Sequence, residues 1–116
     1  MMSKPQPREI WLVRFPFSDL TSAKPRPALI LAVHREEVII LGIFSKIPTG
    51  KLQNSWVLIQ DNNAQFSQTG LKKTSLIRAD KIATVSTSVF QRKSGELSAD
   101  LAIEVQKALK ISLNLI

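Results

Sequence analysis

Cysteine is absent from the 116 residues of this chain, and histidine occurs only once. The first absence excludes disulfides, thiolate zinc ligands and a cysteine nucleophile, and the second excludes any site that needs two histidine ligands. No apolar run approaches the length of a transmembrane helix, and residues 1–8 are polar and contain proline, so we expect neither a membrane anchor nor a signal peptide. The lack of cysteine fits a reducing compartment, and we expect a cytoplasmic protein.

Aromatic residues are also scarce, with two tryptophans, five phenylalanines and no tyrosine. Stacking platforms for single-stranded bases are therefore few. Cations are plentiful, because 16 Lys and Arg face 9 Asp and Glu and the formal net charge is +7. A balance of this kind indicates a polyanionic partner, either a nucleic acid or an acidic protein. The charges are scattered, which favours a folded basic face over a disordered basic tail.

The apolar pattern predicts one domain over residues 1–116, with 1–8 as a flexible N-terminal arm. Short apolar runs separated by polar turns predict strands, and helical spacing after a potential N-cap at Ser98 predicts a helix. The predicted strands are 10–15, 28–33, 38–44, 56–59 and 75–83, the last continuing or bending away over 84–88, and the predicted helix is 99–113. Residues 89–97 carry no predicted element. This succession predicts a mostly β, α+β fold, a small twisted barrel with a C-terminal helix.

One junction stands out, where Lys24-Pro25-Arg26-Pro27 directly precedes the apolar run Ala28–Val33. Proline fixes its own φ and restricts the residue before it, so the backbone on both sides of Arg26 is stiff. The planar guanidinium suits a phosphate or carboxylate target. The residues by themselves leave open whether Arg26 binds such a group or is an ordinary loop arginine.

Six segments, in order along nearly the whole chain, carry a resemblance to a known family: Glu9–Val13, Phe15–Leu20, Lys24–Leu31, Ile43–Lys46, Ser75–Lys81 and Ala108–Leu113. They resemble motifs of the MazF/PemK/Kid toxins, and most closely the PemK-like pattern F-P-F-S-D-L followed by K-x-R-P-A-L-V-L. The R-P-A-L strand is the most specific of them. Two positions depart from the family pattern, since Phe44 stands at its usual threonine and Arg8 at its usual glycine.

The resemblance implies an SH3-like barrel of the CcdB/Kid/MazF type and a homodimer. It implies the toxin of a type II toxin–antitoxin system that cleaves single-stranded mRNA without metal or cofactor, by attack of a ribose 2′-hydroxyl on the adjacent phosphate. It also implies an acidic cognate antitoxin and the inhibition of growth. Two alternatives within the same fold are a non-catalytic RNA-binding module and a gyrase-type inhibitor. The absence of tryptophan after Trp56 counts against the inhibitor.

The resemblance also implies roles for single residues. Arg26 would stabilise the charge that develops on the phosphate. Arg78 would hold the phosphate while Asp80 acts as base or orients Arg26, unless these two form a plain surface ion pair. Since Phe44 replaces the threonine, Ser45 is the candidate for the missing hydroxyl, although in a regular strand it points away from the side that Phe44 occupies.

Further residues are expected to line the RNA groove, with ordinary solvated surface as the alternative for each. They are Asp19, Lys24, Lys46, Lys51, Lys72 and Lys73. No metal site is predicted.

Overall fold

The chain folds into a set of antiparallel strands followed by one long helix. The computed structural model describes residues 4–15 and 24–115. Within these residues the elements are β1 (Glu9–Val13), β2 (Arg26–His34), β3 (Glu37–Phe44), β4 (Trp56–Ile59), β5 (Ser75–Ser86), β6 (Phe90–Glu96) and α1 (Ala99–Ser112), with 3-10 helices at Ser67–Thr69 and Thr87–Val89. The strands form one antiparallel sheet in the order β4-β5-β3-β2-β1-β6. This confirms the predicted mostly β fold with a C-terminal helix.

Both sides of the sheet are covered by apolar side chains, because successive residues of a strand point to opposite sides. In β2, Leu29 belongs to a cluster that also contains the buried face of α1. Its neighbours Ala28 and Ile30 belong to a second cluster around Trp11 and Phe90. The strands therefore read as nearly continuous apolar runs, and their ends are the places where polar side chains reach solvent.

The helix begins where its sequence predicts and ends one residue earlier, at Ser112. The Ser98 hydroxyl accepts a hydrogen bond from the backbone N–H of Leu101 at 3.2 Å and so caps the N-terminus. Leu101, Val105 and Ala108 are buried against the sheet. The opposite face remains partly apolar, since Ile111 is 52% exposed.

Strand β6 is the main difference from the sequence-based expectation, which placed no element between Ser88 and Ser98. Phe90–Glu96 pairs with β1 at the edge of the sheet. Among these seven residues only Phe90 is a buried apolar residue. The strand thus lacks the apolar alternation that reveals a strand in sequence, and it is held by backbone pairing with β1.

Strand β5 is longer than predicted and irregular in the middle. Leu41 of β3 pairs with Ile82 of β5, whereas the next residue, Gly42, pairs with Arg78. Three residues of β5, 79–81, are therefore extra relative to β3. Because this number is odd, the side chains of β5 change sides across the irregularity, and Ala79 and Val85 belong to different core clusters.

Arg8, the last residue of the predicted N-terminal arm, is hydrogen-bonded to neighbouring backbone of the sheet and of the segment that follows β6. The backbone N–H of Arg8 donates to the Ile30 carbonyl at 3.0 Å, and the N–H of Leu97 donates to the Arg8 carbonyl at 2.8 Å. Arg8 has a φ of 76°, in the left-handed region that glycine adopts most easily. This conformation explains why the family pattern has glycine at this position. Within the described residues, no helix has the length and apolar character needed to cross a bilayer.

Candidate nucleic-acid interface and active site

A cavity of about 500 Å³ opens at the end of the sheet where β2 begins and β3 ends. Its lining combines an apolar floor, three serines and a group of cations. The cations are Lys24, Arg26, Lys72, Lys73 and Arg92, and the serines are Ser45, Ser75 and Ser94. No carboxylate contributes to this lining within residues 4–15 and 24–115. The arrangement offers donors and positive charge, which suits phosphate groups.

Arg26 is positioned by the strand that it begins. Its backbone pairs with Val13 of β1, and its side chain is exposed and lines the cavity. Pro25 and Pro27 line the cavity on either side of it. The guanidinium forms no salt bridge with a carboxylate of the described part of the chain. Arg26 thus lies at the start of β2 between two prolines, the position in which the sequence places it on a stiff backbone.

Ser45 and Phe44 diverge at the end of β3. Strand β3 ends at Phe44, and Ser45 follows as an exposed residue that lines the cavity together with Ile43. The Phe44 ring instead lies 5.8 Å from the guanidinium carbon of Arg78. The structure therefore brings the serine hydroxyl, and not the side chain of position 44, into the cavity with Arg26.

Lys72 and Lys73 reach the cavity because the preceding loop packs tightly on β6. A Cβ atom on Gly70 would lie 1.9 Å from the Ser94 carbonyl oxygen, and one on Gly95 would lie 2.3 Å from the Gln68 carbonyl oxygen. Only glycine permits this approach of two backbones. The two lysines are therefore carried on a loop with a fixed path along the cavity wall.

Arg92 is a cavity residue that the sequence analysis missed. It lies on β6, where it pairs with Leu12 of β1, another residue of the lining. Its neighbour Lys93 lies outside the lining and forms a salt bridge with Glu9 at 3.0 Å. The pair Arg92-Lys93 is the only sequence signal here, and it gives no indication of which cation faces the cavity.

Arg78 and Asp80 form a separate cluster with two aromatic rings. Arg78 donates to the Asp80 carboxylate through Nε at 3.0 Å and through Nη2 at 2.6 Å. The Trp56 indole N–H donates to the same carboxylate at 3.1 Å. The guanidinium carbon lies 4.6 Å from the Trp56 ring centroid and 5.8 Å from that of Phe44. Arg78 is thus held in place by an ion pair and by cation–π contacts.

The ionisation of Asp80 follows from this network. The hydrogen bond from Arg78 lowers the pKa of Asp80 below its usual value, and this effect outweighs the opposing effect of partial burial. Asp80 is therefore an anion at neutral pH, and both of its oxygens accept hydrogen bonds. Such a carboxylate is better suited to holding Arg78 than to accepting a proton from a substrate.

The cluster and the cavity are neighbours that meet at Arg26. The register aligns Ala28, Gly42, Arg78 and Trp56 in one row across β2, β3, β5 and β4. Arg26, two residues before Ala28 in β2, projects from the same side of the sheet. Since β3 lies between β2 and β5 and Arg26 is offset from this row by two residues, Arg26 and Arg78 are about 12 Å apart in backbone position. The expected contact between Asp80 and Arg26 is replaced by the pairing of Asp80 with Arg78.

The remaining predicted groove residues fall into two groups. Lys24, Lys72 and Lys73 line the cavity. Lys46 and Lys51 are exposed in the segment between β3 and β4 and are not part of the lining. Asp19 lies outside the described residues.

The fold and this site place the chain among small, mostly β proteins in which the ends of the strands surround a cationic cavity. A family model described as PemK-like, MazF-like toxin of type II toxin-antitoxin system matches residues 6–113. The chain belongs to this family, which confirms the resemblance inferred from its motifs. No curated protein matches the chain significantly.

Solved structures with the same fold are similar over almost their whole length. Toxin MazF-mt6 of Mycobacterium tuberculosis has 20% identity and a TM-score of 0.74, covering 94% of this chain and 99% of that one. An endoribonuclease in complex with its cognate antitoxin from a mycobacterial species has 20% identity and a TM-score of 0.72, covering 97% of each chain. MazF of Deinococcus radiodurans has 19% identity and a TM-score of 0.71, covering 97% of this chain and 99% of that one.

Proposed function

We propose that this member of the toxin family is an endoribonuclease that cleaves single-stranded RNA in the cytoplasm without a metal ion or cofactor. The observation that carries the proposal is the cavity in which Arg26 and Ser45 lie together, because the lining also holds further cations and Arg26 forms no salt bridge with a described carboxylate. Two further observations support the same activity: the chain belongs to the toxin family, and a similar solved structure is described as an endoribonuclease.

The reaction is a phosphoryl transfer within the RNA chain. The 2′-hydroxyl of one ribose gives up its proton to water and its oxygen forms a bond to the adjacent phosphorus. The bond from phosphorus to the 5′-oxygen of the next nucleotide breaks, and that oxygen takes up a proton from water. Negative charge accumulates on the phosphorus substituents in the transition state. Groups that donate hydrogen bonds to this charge from a fixed position lower the barrier.

Arg26 and Ser45 are the residues placed to do this. The Arg26 guanidinium offers two parallel donors to a phosphate, and its stiff backbone limits the entropy lost on binding. The Ser45 hydroxyl adds a neutral donor from the end of β3. Lys24 and Lys73 contact the RNA backbone as point charges. Arg78, held by Asp80 and Trp56, supplies a fixed positive charge next to the cavity, on the side of the sheet from which Arg26 also projects.

The same cations fit an acidic antitoxin. Two similar structures are described as complexes of a toxin with its antitoxin. A net charge of +7 attracts both RNA and an acidic protein chain. We propose that an acidic segment of the cognate antitoxin neutralises the toxin by occupying the cationic cavity.

A homodimer is the proposed assembly, and α1 offers an apolar face for it. Ile103 is 50% exposed and Ile111 is 52% exposed, and these residues are eight positions apart on one side of the helix. Leu113 and Leu115 extend the apolar surface beyond the helix end with exposures of 50% and 59%. Several exposed apolar side chains on one element are typical of protein interfaces.

A second candidate function is a non-catalytic RNA-binding module. Phe44, which replaces the threonine of the family pattern, favours it. The absence of a carboxylate base from the described cavity lining favours it as well. Such a module binds RNA through the same cations but leaves it intact.

The test is RNA cleavage by purified protein in the presence of EDTA, with the RNA ends sequenced. Arg26→Ala should lower the cleavage rate by about a hundredfold to a thousandfold, the usual loss for one preorganised transition-state donor. Arg26→Lys should recover only part of it, because an ammonium lacks the planar fork. Lys107→Ala, which removes an exposed cation on α1, is the charge-matched control and should cleave like the parent.

Two results decide against the proposal. A parent protein that binds RNA without cutting it, and does not slow growth on expression, is a binding module. An Arg26→Ala variant that cuts RNA as fast as the parent removes Arg26 from the active site.

A further inference from the structure

We propose that Arg92, together with Lys72, forms a second phosphate subsite in the cationic cavity, which holds a phosphate next to the one at which cleavage occurs. The inference rests on the proposed function in that it assigns the substrate backbone to the same cavity. Its ligand class is a phosphodiester group of a single-stranded nucleic acid.

The position of Arg92 relative to Arg26 supports two subsites. Arg92 pairs with Leu12 across β1, and Leu12 pairs with Pro27 of β2, so β1 separates the two arginines. Two strand spacings place their backbones about 10 Å apart. Both residues line the cavity, and they approach it from strands on either side of β1. The two arginines can therefore contact two different phosphate groups of one bound RNA chain.

The charge balance of the cavity requires more than one phosphate. Five cations line it, whereas one phosphodiester carries a single negative charge. Clustered like charges destabilise a folded protein, so two arginines that pair with no described carboxylate, Arg26 and Arg92, are most easily explained by a polyanionic ligand. Arg92 forms no salt bridge with any described carboxylate, while the adjacent Lys93 is paired with Glu9.

Lys72 completes the subsite from the opposite wall. Gly70 packs directly on the backbone of Ser94, two residues after Arg92 in the chain. Lys72 follows Gly70 by two residues and lines the same cavity. The tight contact of the loop with β6 fixes the two backbones relative to each other, so both cations start from set positions when a phosphate binds.

Arg92→Gln and Lys93→Gln make a matched pair for the test. The two residues are adjacent on β6, and each substitution removes one positive charge. Only Arg92 faces the cavity. In cleavage assays on an unstructured RNA, Arg92→Gln should raise KM by roughly tenfold with kcat unchanged, since one hydrogen bond to a charged group is lost in substrate and transition state alike. Lys93→Gln should leave KM near the parent value. Lys72→Gln should resemble Arg92→Gln.

Salt dependence provides a second readout. Each phosphate contact on a single strand contributes about −0.7 to the slope of log K against log salt. Binding of an RNA with a 2′-deoxy nucleotide at the cleavage position, measured by fluorescence anisotropy, should therefore show a slope shallower by about that amount for Arg92→Gln and an unchanged slope for Lys93→Gln.

The location of the bound phosphate is tested with single neutral methylphosphonate linkages. One such linkage next to the cleavage position should weaken binding by the parent, and Arg92→Gln should be insensitive to it. A drop in kcat at unchanged KM for Arg92→Gln overturns the proposal, because Arg92 then acts at the reacting phosphate. Equal effects of Arg92→Gln and Lys93→Gln also overturn it, because net charge alone then explains them. A parent that binds RNA but fails to cut it refutes the enzymatic function, and the binding experiments still decide the subsite.

Discussion

Replacing Ser45 by alanine should slow RNA cleavage by about tenfold to a hundredfold and leave the stability of the protein almost unchanged. Ser45 is exposed, follows the last residue of β3 and makes no hydrogen bond within the described residues. The substitution therefore removes one hydroxyl from the cavity without leaving a buried group unsatisfied. Its effect on the unfolding free energy should lie within about 0.5 kcal/mol, as for other surface changes.

The size of the expected rate loss follows from the hydrogen bond that Ser45 can donate. A hydrogen bond to a charged group contributes about 1.5–3 kcal/mol, and each 1.36 kcal/mol changes a rate by about tenfold. The cavity is open to solvent, so the lower part of this range applies. Because the charge on the phosphate grows in the transition state, the loss should appear in kcat as well as in kcat/KM.

The assay compares single-turnover cleavage of one unstructured RNA by the parent, Ser45→Ala and Arg26→Ala, with thermal melting as the test of folding. Phe44→Thr is the informative companion, since it restores the family residue at a side chain that lies against Arg78. We expect no gain in rate from it, because position 44 does not line the cavity. A silent Ser45→Ala together with a faster Phe44→Thr would refute this reasoning and show an enzyme weakened by the loss of its threonine.

Two further predictions concern stability and assembly. The hydrogen bonds from Arg78 lower the pKa of Asp80, so the carboxylate stabilises the fold above its unfolded pKa of about 3.9, and this contribution is lost as the pH falls through the lower folded value. Asp80→Asn should reduce the unfolding free energy by no more than about 1 kcal/mol at pH 7. Unfolding free energies of the parent and the variant, measured by urea titration, should become equal below pH 4. A difference that does not change with pH would contradict the ion-pair explanation. Ile111→Glu, which places a charge on the exposed face of α1, should convert a dimer to a monomer in light scattering, and a monomeric parent at micromolar concentration would rule out the proposed assembly.

The elements that the sequence predicted well are those in which apolar residues occupy the buried positions and polar residues flank them. Strand β4 has the predicted bounds, Trp56–Ile59, because four consecutive apolar or aromatic residues are flanked by polar loops. Helix α1 ends within one residue of the prediction, since its N-cap and apolar spacing are both local signals. Strand β6 was not predicted, because its pairing with β1 at the edge of the sheet needs only backbone groups, and these are the same for every residue type except proline.

The site was predictable in part for the same reason. Arg26 was identified from the prolines beside it, which act on the local backbone. Arg92 belongs to the strand without an apolar pattern, so no local signal assigned it to the cavity. Lys46 and Lys51 were expected in the groove, but the direction of the chain after β3 depends on tertiary packing that charge alone does not reveal.

The distribution of paired and unpaired cations connects the fold with its function. Two cations outside the cavity are paired, Arg78 with Asp80 and Lys93 with Glu9. Among the cations of the cavity, Arg26 and Arg92 have no such carboxylate partner in the described chain. A carboxylate beside either arginine would relieve repulsion but would also compete with a phosphate for the same donors. Leaving these charges uncompensated lowers the stability of the free protein and increases its affinity for a polyanion. This compromise is the one expected under the proposal that RNA and an acidic antitoxin bind the same surface.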